Sequence, residues 1–113
     1  MIKAIALIKR KPGLSMDEFS RHYEEVHAPL ALRHFPVIKR YVRNYVSLPP
    51  GAEELEFDCI TEFWYENMEG LQAAIDTRRS EARQLMHDDE ESFMDRSKMI
   101  TFLVEEKVSE IQG

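Results

Sequence analysis

His27 stands two residues before Pro29, where an amphipathic helical pattern must end or kink. Imidazole is the side chain whose unperturbed proton affinity lies nearest neutral pH, so a histidine in a fixed setting is the first place to look for acid–base chemistry. At a helix C-terminus its ring would face the unpaired carbonyls of the last turn and the negative end of the helix dipole, both favouring the protonated form. It would lie about 40° around the helix from Tyr23, on the border of the apolar stripe. A histidine that only satisfies those carbonyls would read the same way, so position alone leaves both roles open. Glu62 is the second group of interest. In the alternating run of residues 57–65 it falls between Ile60 and Trp64, a largely apolar wall that would raise a carboxyl pKa. An ion pair with Arg40 or Arg43 is the competing expectation. His22, His34 and His87 have no comparable setting and read as surface residues.

The elements that must position these groups are well signalled. Pro12-Gly13 is turn chemistry, and Ser15 three residues before Glu18 makes a capping box that starts a helix at Met16. Leu14 and Phe19 can staple that start, and Phe19, Tyr23, Val26 and Leu30 follow at helical spacing. Residues 2–9, 37–48, 57–65 and 99–108 read as strands, the second stopped by Pro49-Pro50-Gly51. Asn67 can cap a helix carrying Leu71, Ala74 and Ile75, and another from Ser80 carries Ala82, Leu85 and Met86. The order βαββαβ predicts an α+β, ferredoxin-like fold with a four-stranded antiparallel sheet and helices on one face. Since the third strand carries large apolar groups on both faces, the uncovered face needs a second surface. The same sheet of a second subunit is the simplest one, giving a homodimeric α+β barrel.

Composition narrows the function. The 113 residues, 43% hydrophobic and 32% charged, suit a single domain spanning residues 1–113, and no apolar run is long enough to cross a bilayer. Lysines and arginines interrupt the N-terminal apolar stretch, so no signal peptide is expected. One cysteine, Cys59, cannot form an intrachain disulfide, and a cytoplasmic location follows as the expectation. The net charge of −6 divides unevenly: residues 1–44 hold nine Lys/Arg against four Asp/Glu, and the remainder six against seventeen. The basic half has no aromatic-interleaved patch, which argues against nucleic acid. The run Asp88-Asp89-Glu90-Glu91 reads as a solvated helix end or loop. With no glycine-rich phosphate loop, no paired cysteines and no ligand cluster, no cofactor and no metal are expected.

The order of elements, with Arg10-Lys-Pro-Gly-Leu-Ser, Glu25-Val-His-Ala-Pro-Leu, Arg40-Tyr-Val-Arg-Asn, Glu62-Phe-Trp-Tyr, Asp89-Glu-x-x-Phe93 and Leu103-Val-Glu-Glu-Lys-Val, resembles the EthD family of small dimeric α+β barrel proteins. The resemblance implies a protein encoded beside oxygenases in ether degradation, or a dehydratase-, decarboxylase- or isomerase-like module of catabolic or polyketide-type routes. It also carries a loose oxidoreductase association. By carry-over, His27, Tyr41 and Glu62 are the expected catalytic positions, with Tyr23, Trp64 and Phe93 around the substrate. Tyr23 stands where the family often has tryptophan, and Lys107 where a histidine is common. The expected activity is cofactor-independent acid–base chemistry on a small hydrophobic carbonyl or lactone compound. The alternatives are a non-catalytic metabolite-binding accessory to an oxygenase, or an oxidoreductase.

Overall fold

In the computed structural model, which describes residues 1–80 and 82–112, four antiparallel strands form one sheet in the order β2-β3-β1-β4. They are β1 (Ile2–Ile8), β2 (Ile38–Tyr45), β3 (Cys59–Tyr65) and β4 (Ile100–Val104). Between them lie α1 (Met16–His22), α2 (Ala28–His34), α3 (Met68–Arg78) and α4 (Ala82–Phe93), with one 3₁₀ turn at Arg96–Lys98. With the first and third strands central, this is the expected ferredoxin-like arrangement.

The period-2 reading of β3 holds. Cys59, Thr61 and Tyr65 are buried toward the helices, while Ile60, Glu62 and Trp64 lie on the other face, opposite Leu7, Ile5 and Lys3 of β1. All four strands are shorter than their sequence patterns suggest. β3 begins at Cys59, and Asp58 just before it accepts a hydrogen bond from the Arg10 amide at 2.9 Å. β2 carries a register shift between Ile38 and Arg40, and β4 leaves the sheet after Val104.

Two apolar clusters hold the helices to the sheet. Phe19, Tyr23 and Phe93 gather over Ala6, Ile8 and Cys59, and Ala31, Phe35, Ala74 and Met86 gather over Ala4 and Tyr65. Gly13, with φ of +93°, supplies the left-handed turn that brings β1 round to α1. The capping box is formed: the Glu18 amide donates to Ser15 Oγ and the Ser15 amide to Glu18 Oε1, both at 3.1 Å. Ser15→Ala therefore removes an acceptor from an open helix end, and a loss of about 1 kcal/mol in urea denaturation is expected.

The first helix does not end at His27. It passes through a π-helical turn, Tyr23–His27, in which the Ala28 amide bonds to the Tyr23 carbonyl, and runs on into α2. Pro29 is the cause. Having no N–H, it cannot close a regular bond to the carbonyl four residues back, and the widened turn takes up the mismatch and leaves proline in the tolerated first turn of α2. His27 is thus inside a continuous helix, 4% exposed, and the helix-end dipole expected to favour its charge is absent.

A candidate acid–base site between helices and sheet

The helix-facing side of β1 is narrow: Ala4 and Ala6 sit where larger residues would fill the space, and Ala31 on α2 and Ala74 on α3 face them. A cavity of about 370 Å³ results, within the range of small-molecule sites. Its walls are mostly apolar. His27, Tyr23 and Tyr41 bring polar groups into it.

His27 is held from behind. Its Nδ1 lies 2.7 Å from Asp89 Oδ2 on α4, and the other carboxylate oxygen, Oδ1, lies 2.9 Å from His22 Nε2. Phe93, one turn beyond Asp89, packs its ring against both imidazoles, with centroids 4.9 Å from His27 and 4.7 Å from His22. Tyr23 meets His27 edge-on at 5.5 Å. Burial pushes the His27 pKa below its ordinary value and outweighs the opposing pull of the Asp89 hydrogen bond and the Glu90 charge. The neutral ring then donates from Nδ1 to the carboxylate. Nε2 keeps its lone pair, has no hydrogen-bond partner among the described residues, and belongs to a cavity-lining side chain.

A chain of hydroxyls lies beside it. Tyr41 donates to Tyr23 Oη at 3.1 Å, and Tyr23 Oη is 2.8 Å from Thr61 Oγ1, which is fully buried. Burial raises the pKa of both phenols, so both remain protonated donors near neutral pH. A ligand oxygen in the cavity can compete with Tyr23 for the Tyr41 proton. Together these groups offer one base and one neutral hydrogen-bond donor on an apolar wall, the minimum for moving a proton next to a carbonyl.

The structure brings together only part of the expected set. His27, Tyr23 and Tyr41 share the cavity, whereas Glu62 and Trp64 are on the opposite face of the sheet. Glu62 is not a raised carboxyl either. Burial, which would raise it, is outweighed by hydrogen bonds from Asn44 Nδ2 at 3.0 Å and from Lys3 and Trp64, and its pKa is lowered. Its ionic partner is Lys3, at 3.1 Å, while Arg43 is drawn away to Glu24. Phe93 is fully buried behind His27 and forms no part of the cavity wall.

Two other expectations are overturned. His22 is not a free surface residue, since it clamps the second oxygen of Asp89. The acidic run is not uniformly solvated: Asp88 and Glu91 point out, Asp89 reaches the histidines, and Glu90 is 3% exposed beneath Arg78 and Arg96. The signal that could have found them is helical spacing, because Met86, Glu90 and Phe93 share one face of α4.

The EthD domain model matches residues 11–97 of this chain. The chain belongs to the EthD family. Its fold resembles that of an EthD family protein from Bacillus halodurans, at 23% identity over 95% of this chain and 100% of that one, with a TM-score of 0.68. HapK from Hahella chejuensis is similar at 12% identity over 100% and 99% of the two chains, TM-score 0.66. A dimeric ferredoxin-like protein of unknown function from Thermobifida fusca matches at 13% identity over 91% and 88%, TM-score 0.61. No curated protein matches the sequence. These likenesses establish the fold of this EthD member. Among the described residues no helix is long and apolar enough to cross a membrane, and no three His, Cys, Asp or Glu side chains converge as a metal site.

Proposed function

We propose that this EthD protein is a cofactor-independent acid–base enzyme that moves a proton on a small hydrophobic carbonyl or lactone compound bound in the cavity. One observation carries the reading: a buried, neutral His27 with Nδ1 fixed by Asp89 and Nε2 without a protein partner. In this mechanism Nε2 takes a proton from the carbon next to the carbonyl, and the electron pair of the C–H bond moves into an enolate. The Asp89 carboxylate stabilises the imidazolium formed, and Tyr41 donates a hydrogen bond to the enolate oxygen. Return of the proton to another atom completes an isomerisation, and loss of a β-leaving group with its electron pair completes an elimination.

Proton abstraction can be read without knowing the natural substrate. Incubated in D₂O with 2-coumaranone or 2-tetralone, the protein should accelerate exchange of the acidic C–H for deuterium, followed by proton NMR, and His27→Gln should not. Saturable binding of both probes with no acceleration over His27→Gln would instead support a sequestering role without catalysis.

The same reading includes a homodimer formed through the uncovered sheet face. Ile100, Phe102 and Val104 of β4 are exposed apolar residues at 56%, 41% and 37%. They lie beside Ile5 and Leu7 of β1, and a patch of this kind calls for a partner surface. The dimeric neighbour of the same fold supports it. Native mass spectrometry at low micromolar concentration should give twice the chain mass, and Phe102→Asp should give the monomer. A wild-type monomer would remove the dimer from the proposal and leave the cavity chemistry standing.

A further inference from the structure

The cavity has a second polar group, away from the hydroxyl chain, in Arg78 at the end of α3 and Tyr65 at the end of β3. Arg78 Nη2 donates to both oxygens of Glu90 at 2.7 Å, and Arg96 Nε donates to Oε1 at 3.1 Å. One buried carboxylate thus faces two guanidiniums; Arg96 also reaches Glu91 Oε1 at 3.5 Å, whereas Arg78 has Glu90 alone as its acidic partner among the described residues. Arg78 spends a single nitrogen on Glu90. Its Nη1 and Nε make no hydrogen bond to any described residue, and neither does the Tyr65 hydroxyl; the Arg78 side chain is 41% exposed, so solvent reaches these donors until a ligand takes them. Tyr65 is 7% exposed and its ring lines the cavity. The charge of Arg78 lowers the pKa of His27 and opposes the burial that raises that of Tyr65, which places the guanidinium near both.

The remaining ionic group of the wall is Glu90, and its oxygens are already taken. A ligand filling this cavity therefore meets apolar carbon along most of its length and, at one end, a pair of donors with no protein partner among the described residues, one of them cationic. Guanidinium and phenol together match a carboxylate, which accepts hydrogen bonds at two oxygens. We infer that Arg78 and Tyr65 form an anion-binding end of the cavity, and that its ligand is a hydrophobic compound bearing a carboxylate. The inference deepens the acid–base reading by naming the substrate class, but its geometry stands without turnover. A carboxylate seated on Arg78 would orient the rest of the molecule along the apolar wall toward His27.

Binding separates the two ideas. By isothermal titration calorimetry the protein should bind 2-naphthoate at least about 10-fold more tightly than the isosteric 2-naphthamide, the scale of one charge-assisted hydrogen-bonded contact. Arg78→Gln should erase that preference, and Tyr65→Phe should reduce it. Arg96→Gln, which leaves Arg78 in place, should retain it. Should Arg78→Gln fold poorly, the wild type still decides: the Arg78 Nε–H resonance should shift on addition of 2-naphthoate and stay in place with 2-naphthamide. Equal affinity for the two probes, or a preference that survives in folded Arg78→Gln, would overturn the anion site. Neither result depends on whether deuterium exchange is catalysed.

Discussion

His27→Gln should lower turnover on the natural substrate, and deuterium exchange into 2-coumaranone, by about 10²-fold or more, while leaving the fold intact. Glutamine keeps a donor within reach of Asp89 but has no basic lone pair, so the carboxylate stays satisfied and only the proton acceptor is lost. The same substitution should alter the response to acid. In the wild type the folded-state pKa of His27 is depressed by burial, so below about pH 6.5 the unfolded chain binds a proton that the folded chain does not. Stability should fall as the pH drops from there toward the lowered folded pKa, and level off beyond it. With glutamine at position 27 that slope should be smaller. Urea unfolding of both proteins between pH 7.5 and 5 checks the sign. Identical slopes would mean that the ring is already solvated, which would also remove the reason for its basicity at the site.

Phe93→Ala should be the most damaging single change to the fold near the site, costing about 3–5 kcal/mol in denaturant unfolding. The ring is fully buried and stacks on Phe19 with centroids 5.6 Å apart, besides touching Tyr23 and both histidines. Its loss would open space directly behind His27, admit water, and let the imidazole pKa return toward its ordinary value. Proton NMR of the histidine resonances should register that return. Phe93→Leu fills most of the space and should cost markedly less. If alanine at 93 left stability unchanged, the packing of α4 against the π-helical turn would have to be looser than the ring contacts imply.

Much of this architecture could be read in the chain, and the parts that could not share a cause. The capping box, the alternation of β3 and the βαββαβ order are short-range patterns, each spelled by neighbouring residues, and all are present. The cavity histidine was also legible, because Pro29 marks its neighbourhood. What escaped was decided by tertiary partners. The helix dipole argument for a charged His27 failed because a proline can be absorbed by a widened turn as well as by a helix end, and burial then set the sign. Glu62 was placed on an apolar wall correctly, but which wall depends on the helices, and they cover the other one. Asp89 and Glu90 were hidden in a run of four acids, where a solvated helix end and a two-faced helix have the same composition. His22 acquired a role only because α4 lies across α1.

The π-helical turn sets a limit on engineering this protein. Its five residues hold one more than a regular turn needs, and that surplus rotates everything after Tyr23 relative to α1. Shortening the segment by one residue and replacing Pro29 with alanine would give an uninterrupted α-helix with better intrinsic propensity. It would also swing the surviving imidazole roughly a quarter of a turn away from Asp89. A screen that rewards thermal stability alone would favour such a variant, and would discard the alignment on which the proposed chemistry depends.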